Sequence, residues 1–506
     1  MARTAVLGGE AHSRGLLGGG RSKGDNRIRY GFGAIAVLSW YTTGGTVGLV
    51  LAAVFAATGF ALTSKLLSGN SVVSTIALNV RWWRRSRKRL TEFAPPPGTD
   101  RVRPIRRGVK AERARKPVPV RSVPDGVGRV RELVYEAPAG GEVSVLAHTN
   151  PGRPAYLSAV LEVDGQPSGL YEQEDVDAAA ERFGRLLVAC GGPTSLIRGI
   201  QVVTRVVPLD SAEHERFVFG NRSPTAPARL VESYGELLGL ARRSVEQYRN
   251  YVVARIPLDA GFAETAREFG DPGSGEVRCA MVHHEMTRLA ALAANCGLRP
   301  VRLLGPQRLA ALLRSLQDPD HYIDDVDGVS WENCWQRSRA ERKYVVTNDK
   351  WATRIARVPA HGVSLEPVHM RWLSPLLIGV QPSVIRTVSM MIQLEPARVA
   401  RKQARQDVAE DRGRLLADAG RVTDLGAEGA LTASQQRLYD LRAGTGHSGV
   451  RWGMYLSITA PESAIRRASD VVLDRAGDAG LVDLAWLDRA HDLAQPTVWP
   501  LWRGLD

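Results

Sequence analysis

"AYLSAVLEVDG", Ala155 to Gly165, and "IRGIQVVTRVVP", Ile197 to Pro208, flank "QEDVDAAAERFGRLLVACGG", Gln173 to Gly192. The two outer pieces alternate and are rich in β-branched residues, as half-buried strands are. The middle piece repeats its apolar residues at helical spacing, Asp175 stands where an N-cap is expected, and paired glycines end it. Together they predict a β-α-β unit. Working outward, "PARLVESYGELLGLARRSVEQY" (227–248) predicts a long helix and "NYVVARIPL" (250–258) a strand.

The theme returns downstream. A helix beginning near Glu276, a short strand at "RPVRLL" (299–304) and a helix up to Asp318 form a second unit. Lys343 to Pro359 predicts two strands around a turn at Asn348–Asp349. A strand at "VIRTVSMMIQL" runs into a long charged helix, and "VRWGMYLSITAPESAIRRASDVVLDRAG" gives a last strand and helix. Strands alternating with helices of this length predict an α+β (or α/β) body. Two ferredoxin-like β-α-β halves are the expected arrangement, with 126–260 as the first α/β domain and 261–506 as the second.

The chain has 506 residues, 44% of them hydrophobic, which suffices for a large core. Its formal charge is +14, but the charge is local. Residues 1–120 hold 21 Lys and Arg against 5 Asp and Glu, and the remainder is close to neutral. A polyanion-binding footprint therefore belongs to the N-terminal quarter or nowhere. The four cysteines, Cys190, Cys279, Cys296 and Cys334, form no CxxC pair, which fits reduced core thiols and not a disulfide framework.

From Tyr30 to Ser64 there is no charged residue. A spanning helix needs about 20 apolar residues, so one straight helix over this run is too long. Two short spans reversing at Gly44–Gly45 fit, giving a transmembrane hairpin over 30–64 after a basic tail (1–29). A single span with an interfacial first arm is the other reading, because Ser39, Thr42 and Thr43 interrupt the first arm. Arg21, Lys23, Arg27 and Arg29 precede the run, and Lys65 and Arg81–Arg89 follow it. Basic flanks on both sides place both ends in the cytoplasm, so the chain is expected to be a multi-pass protein of the cell membrane with its bulk cytoplasmic.

Segment 65–90 ends in "NVRWWRRSRKRL". Val72, Val73, Ile76, Ala77, Val80 and Trp83 recur at three- and four-residue steps, the mark of an amphipathic helix. Such a helix lies along the inner leaflet, with Trp82 and Trp83 at headgroup depth and Arg81, Arg84, Arg85, Arg87, Lys88 and Arg89 toward anionic lipid. Residues 91–125, rich in Pro and Arg, predict an extended basic linker.

Motifs for chemistry are missing. The dipeptide GK does not occur, which argues against a P-loop ATPase. G-x-S-x-G is absent; "GTGHSGV" has the wrong spacing. His283, His284 and Glu285 do not form H-E-x-x-H, because Arg288 stands at the second histidine's position. The acidic stretch Asp318–Gly328 lacks the twelfth-position Glu of a calcium loop. No cofactor and no metal site are expected. Trp331, Trp335 and Trp351 point first to a core, and secondly to a partner surface, because Trp anchors interfaces.

The pieces "NVRWWRRSRKRL", "DVDAAAERFGRLL", "VSWENCW", "VIRTVSMMIQLEPARVARKQARQD", "WGMYLSITAP" and "WPLWRGL" carry a resemblance. The chain resembles a family of actinobacterial integral-membrane proteins associated with conjugation-like and secretion-like machinery. Its members are sometimes labelled EccE-like type VII secretion proteins, and their body is similar to the N-terminal, non-ATPase part of VirB-type transfer ATPases. The resemblance implies a membrane hairpin, an amphipathic helix and an α/β cytoplasmic body, and it carries no catalytic residues. The first arm is more polar here than the family pattern. The expected function is a non-enzymatic membrane subunit of a hetero-oligomeric secretion or conjugation complex. Its expected partners are the lipid bilayer and other subunits, including a P-loop ATPase. A membrane-tethered DNA-binding protein is the alternative.

Overall fold

The computed structural model describes residues 4–5, 23–63, 72–96, 118–165, 172–192, 194–208, 212–223, 225–299, 301–359, 362–364, 368–417, 426–442 and 449–504. Most of the basic tail and the Pro-rich linker, and residues 65–71, lie outside them.

The N-terminal part is helical: α1 (Lys23–Thr43), α2 (Gly45–Thr63) and α3 (Val72–Arg87). Next come β1 (Glu92–Phe93), β2 (Val130–Glu136), β3 (Glu142–His148), β4 (Tyr156–Val163), α4 (Gln173–Cys190) and β5 (Gly199–Pro208). The helices α5 (Ala212–Gly220) and α6 (Ala228–Ser244) lead to β6 (Glu246–Pro257), α7 (Gly275–Asn295), β7 (Val301–Leu303) and α8 (Pro306–Gln317). The rest of the chain supplies β8 (Ser338–Ala340), β9 (Val345–Thr347), β10 (Trp351–Val358), α9 (Ser374–Leu377), β11 (Ile385–Glu395), α10 (Ala397–Ala417) and α11 (Gly426–Asp440). It closes with β12 (Gly449–Pro461), α12 (Ile465–Asp478), β13 (Ala485–Trp486) and α13 (His491–Ala494).

All of these strands join one 13-stranded sheet. Its order is β1-β8-β9-β10-β12-β11-β5-β6-β4-β3-β2, with β13 on β10 and β7 on β4. The pairings within it are antiparallel. The strand–helix–strand unit of Ala155–Pro208 is present, with β6 inserted between its two strands. Its helix starts at Gln173, so Asp175 is in the first turn and not at the cap, where its carboxylate still favours the helix dipole. The turn at Asn348–Asp349 is present, both residues having positive φ of 50° and 51°, a conformation Asn and Asp tolerate, within a three-residue connection between Thr347 and Trp351.

In β4-α4-β5-β6-α7-β7 the strands lie in the order β7-β4-β6-β5. The later set β10, β11, β12, α12, β13 has the order β13-β10-β12-β11. A pair of helices interrupts each set at the same place: α5–α6 between β5 and β6, α10–α11 between β11 and β12. The sets meet where β5 pairs with β11, from Val206 opposite Arg386 to Gly199 opposite Gln393.

One face of the sheet packs on α4 and α7 through Ala159, Leu161, Ile200 and Ala254, and on α12 through Ala356, Leu456 and Ile458. Val203, Tyr251, Ile355, Met391 and Tyr455 turn to the other face, against α8 and the C-terminal Val498–Trp502 segment. Alternation along each strand sorts these two cores.

The seam carries a buried charge. Arg386 of β11 is fully buried and pairs with Glu246 at 2.8 Å. Its guanidinium also donates to the carbonyls of Leu376, Leu377 and Val384 at 2.6–2.8 Å. Removing one partner strands the other charge inside the protein. Glu246→Ala is expected to destabilise the body by about 3–5 kcal/mol in chemical denaturation. Asp320→Ala, which breaks the exposed Lys350 pair, is expected to cost no more than about 1 kcal/mol.

Candidate membrane interface

Gly44 and Gly45, at φ +57° and +59°, reverse the chain between α1 and α2, and α1 folds back on α2. A Cβ at Gly59 would fall 2.6 Å from the Cβ of Phe32, so glycine lets the two helices touch. Among the described residues α2 is the one helix long and apolar enough to cross a membrane, and most of it is uncovered. Val47, Leu49, Val50, Val54 and Phe60 are all more than half exposed.

By the same measure α1 does not qualify as a second span. α1 is 21 residues long, but Lys23, Asp25, Arg27 and Arg29 fall in its first two turns. The uncharged part, Tyr30–Thr43, reaches roughly 21 Å at a rise of about 1.5 Å per residue, short of the ~30 Å hydrocarbon core.

α3 presents an open groove of about 540 Å³ lined by Val73, Ile76, Ala77, Val80, Arg81, Arg84, Arg85, Lys88 and Leu90. Apolar residues line its N-terminal half and cations its C-terminal half. Trp83 is exposed, and the Arg87 guanidinium lies 4.0 Å from its ring centre. Trp82 is half-buried.

Arg85 and Arg89, expected to face lipid, are engaged elsewhere. Arg85 forms an ion pair with Asp492 of α13, its side chain 11% exposed. Arg89, at φ +53°, pairs with Glu92 at 2.6 Å. The chain then joins the sheet edge. The Thr91 carbonyl accepts from Ala340 N–H at 2.8 Å, β1 pairs with β8, and Phe93 is buried beneath the Arg121 guanidinium. The end of α3 is thus fastened to the body by two ion pairs, a strand and a buried ring.

His491 supports this fastening. Its Nδ1 accepts from Ile355 N–H at 3.1 Å, and Nε2 lies 3.3 Å from Asp488 Oδ1. Burial pushes the His491 pKa down, with Asp488 opposing. Asp488 is itself lowered; burial acts against that shift, and the His491 hydrogen bond and nearby cations outweigh it.

The tryptophan cluster is mostly interior. Trp331 and Trp335 meet edge to face at 5.0 Å, Trp335 lies 6.0 Å from Trp499, and the first two are 8% and 1% exposed. Their reading as partner surface is corrected: α8 and the C-terminal segment cover them. Trp351 is half-buried at the start of β10, with Lys350 Nζ 5.3 Å from its ring centre.

The acidic stretch is occupied by its own neighbours. Asp324 pairs with Arg249 and Arg308, and Asp318 accepts from Asn348 at 2.7 Å. Glu285 is buried and accepts from Ser195 and Arg288. Among the described residues no group of three or more His, Cys, Asp or Glu could hold a metal ion. The sequence reading missed Asp492 and Glu92. Asp492 lies 407 residues from Arg85, and no local pattern marks it.

Compared with known proteins, the chain matches no protein-family model and no curated protein.

Two outcomes follow. In a double-mutant cycle, Arg85→Ala and Asp492→Ala are expected to be non-additive, with a coupling of about 0.5–3 kcal/mol; additive losses would mean that the pair does not form. The second concerns pH. His491 and His148, the latter pushed down to about 3 chiefly by burial, are neutral in the fold. The unfolded chain protonates its histidines near pH 6.5, so their contribution is complete above that pH and is lost as pH falls. The unfolding midpoint is expected to drop below pH 6.5, and less steeply in His491→Asn.

Proposed function

We propose that the protein is a non-enzymatic, membrane-anchored subunit of a bacterial secretion or conjugative-transfer apparatus. Its α+β body is held at the cytoplasmic face of the cell membrane and docks other subunits of a hetero-oligomeric complex, including a P-loop ATPase. The observation that carries the anchoring is continuity along the chain. An uncovered apolar helix, α2, precedes a cationic amphipathic helix, α3, whose end is fastened to the body. Exposed apolar surface of this extent marks a membrane or partner contact. The role in transport rests on the family resemblance in the quoted motifs, and the nearly neutral body with no recognised catalytic motif fits a docking part.

Finer readings belong to the same proposal. Arg29 lies 4.8 Å over the Phe60 ring, so the basic start of α1 sits beside the end of α2. Cations there can snorkel to the headgroups while both arms enter the bilayer together, making the protein multi-pass. In each half of the body, strands two places apart in the order are joined through a helix (β4–α4–β5 and β6–α7–β7; β10–α9–β11 and β12–α12–β13), a split β-α-β pattern that supports reading them as ferredoxin-like. Trp351 remains the candidate for a partner surface.

A second reading has an observation of its own: Arg81, Arg84 and Lys88 face outward with no carboxylate partner among the described residues. A membrane-tethered DNA-binding protein would use them. The test is extraction from cell membranes followed by crosslinking. Detergent-dependent extraction and crosslinks to an ATPase and small membrane proteins are expected. Recovery as a soluble monomer without such partners would end the proposal. Retention of DNA that falls steeply with salt would favour the second reading.

A further inference from the structure

We propose that α3 carries a docking site for anionic phospholipid, separate from the membrane-spanning helix, and that this site sets how the body stands on the bilayer. The inference rests on the anchored reading above and names the lipid chemistry it uses.

Five of the six cations of Arg81–Arg89 are divided between two tasks; the sixth, Arg87, lies over the Trp83 ring. Arg85 and Arg89 are committed to the body through Asp492 and Glu92. Arg81, Arg84 and Lys88 are exposed and line the groove whose other half is Val73, Ile76, Ala77 and Val80. The steps of three, four and seven residues put all of these on one helix face. Ile76 is 52% and Val80 41% exposed, so apolar side chains and cations meet solvent together. Acyl chains suit the first set and headgroup phosphates the second.

The occupant follows from charge and continuity. Three cations without a carboxylate partner among the described residues call for an anion. The apolar half of the groove excludes a fully hydrated one. The chain that leads into this helix is the uncovered α2, which brings the groove to a lipid surface. Each basic side chain near such a surface adds roughly a fivefold preference for it over a neutral one. Because Arg85, Arg89 and β1 fasten the same helix to the body, lipid bound here orients the body.

The full chain would be placed in nanodiscs of phosphatidylcholine, or of phosphatidylcholine mixed with phosphatidylglycerol. All four native cysteines are buried, so Ile76→Cys and, separately, Leu49→Cys accept a fluorescent label. Quenching by nitroxide lipid then reports depth. At Ile76 severalfold stronger quenching is expected in the phosphatidylglycerol discs. R81S/R84S/K88S is expected to abolish the difference, and Arg131→Ser, an exposed cation on β2 outside the groove lining, to keep it. Equal quenching in both lipids, or a triple variant like the parent, would overturn the inference. Leu49 distinguishes this from failure of the anchor: its label is expected to be quenched in both lipids. If it is quenched in neither, the anchored reading falls and takes the inference with it. If the triple variant loses retention of duplex DNA while Ile76 quenches equally in both lipids, the row serves nucleic acid and the lipid site is wrong.

Discussion

The pairing of β5 with β11 is the interaction on which the body depends. Each strand would otherwise be the edge of its own set, with a row of backbone groups unpaired. Eight residue pairs, Arg386–Val206 to Gln393–Gly199, join them. Behind the seam Gln201 donates to Ser389 Oγ and to the Trp499 carbonyl at 2.9 Å, and accepts from Trp502 N–H at 2.7 Å. The C-terminal segment therefore closes over both sets at once. Val203 and Tyr251 from one set share a core with Ile355, Met391 and Tyr455 from the other. Movement at the joint would break strand pairing, side-chain bonding and packing together.

A platform of this kind transmits position. The Arg85–Asp492 pair ties the end of α3 to α13, and α13 is bonded to β10 through His491 and Ile355. On the other side β1 extends the sheet edge through β8. In the proposed anchoring, the depth and tilt of α3 are passed to the sheet through a strand and a buried ring, not through a free tether. The Pro- and Arg-rich stretch follows β1 in the sequence, after the fastening.

Much of the fold was legible because its signals are local. The strands 155–165 and 197–208, the helix between them, the turn at Asn348–Asp349 and the strand running into α10 are each set by periodicity and turn chemistry within a few residues. What could not be read is long-range. Nothing near Asp492 indicates that Arg85 is its partner, and nothing in β5 or β11 says that they pair. Polar and charged residues on these central strands, Gln201, Arg205, Arg386 and Ser389, disguise how deeply they lie. For the candidate site, the amphipathic period of α3 was correct as a helix. Treating its cations as equivalent was not, because a one-dimensional pattern cannot tell a lipid-facing arginine from one pairing with a distant carboxylate. Trp331 and Trp335 show the converse: tryptophan that marks interfaces also fills cores, and only the cover supplied by the C-terminal segment decides.

The central claim is that α3 and the body move as one. Spin labels at Asn79→Cys on α3 and Arg342→Cys beside β8, both exposed positions, test it by pulsed electron resonance on the full chain in nanodiscs. A single narrow distance distribution, broadened by Asp492→Ala, is the predicted result. A broad distribution in the unaltered fastening, indifferent to Asp492, would contradict it.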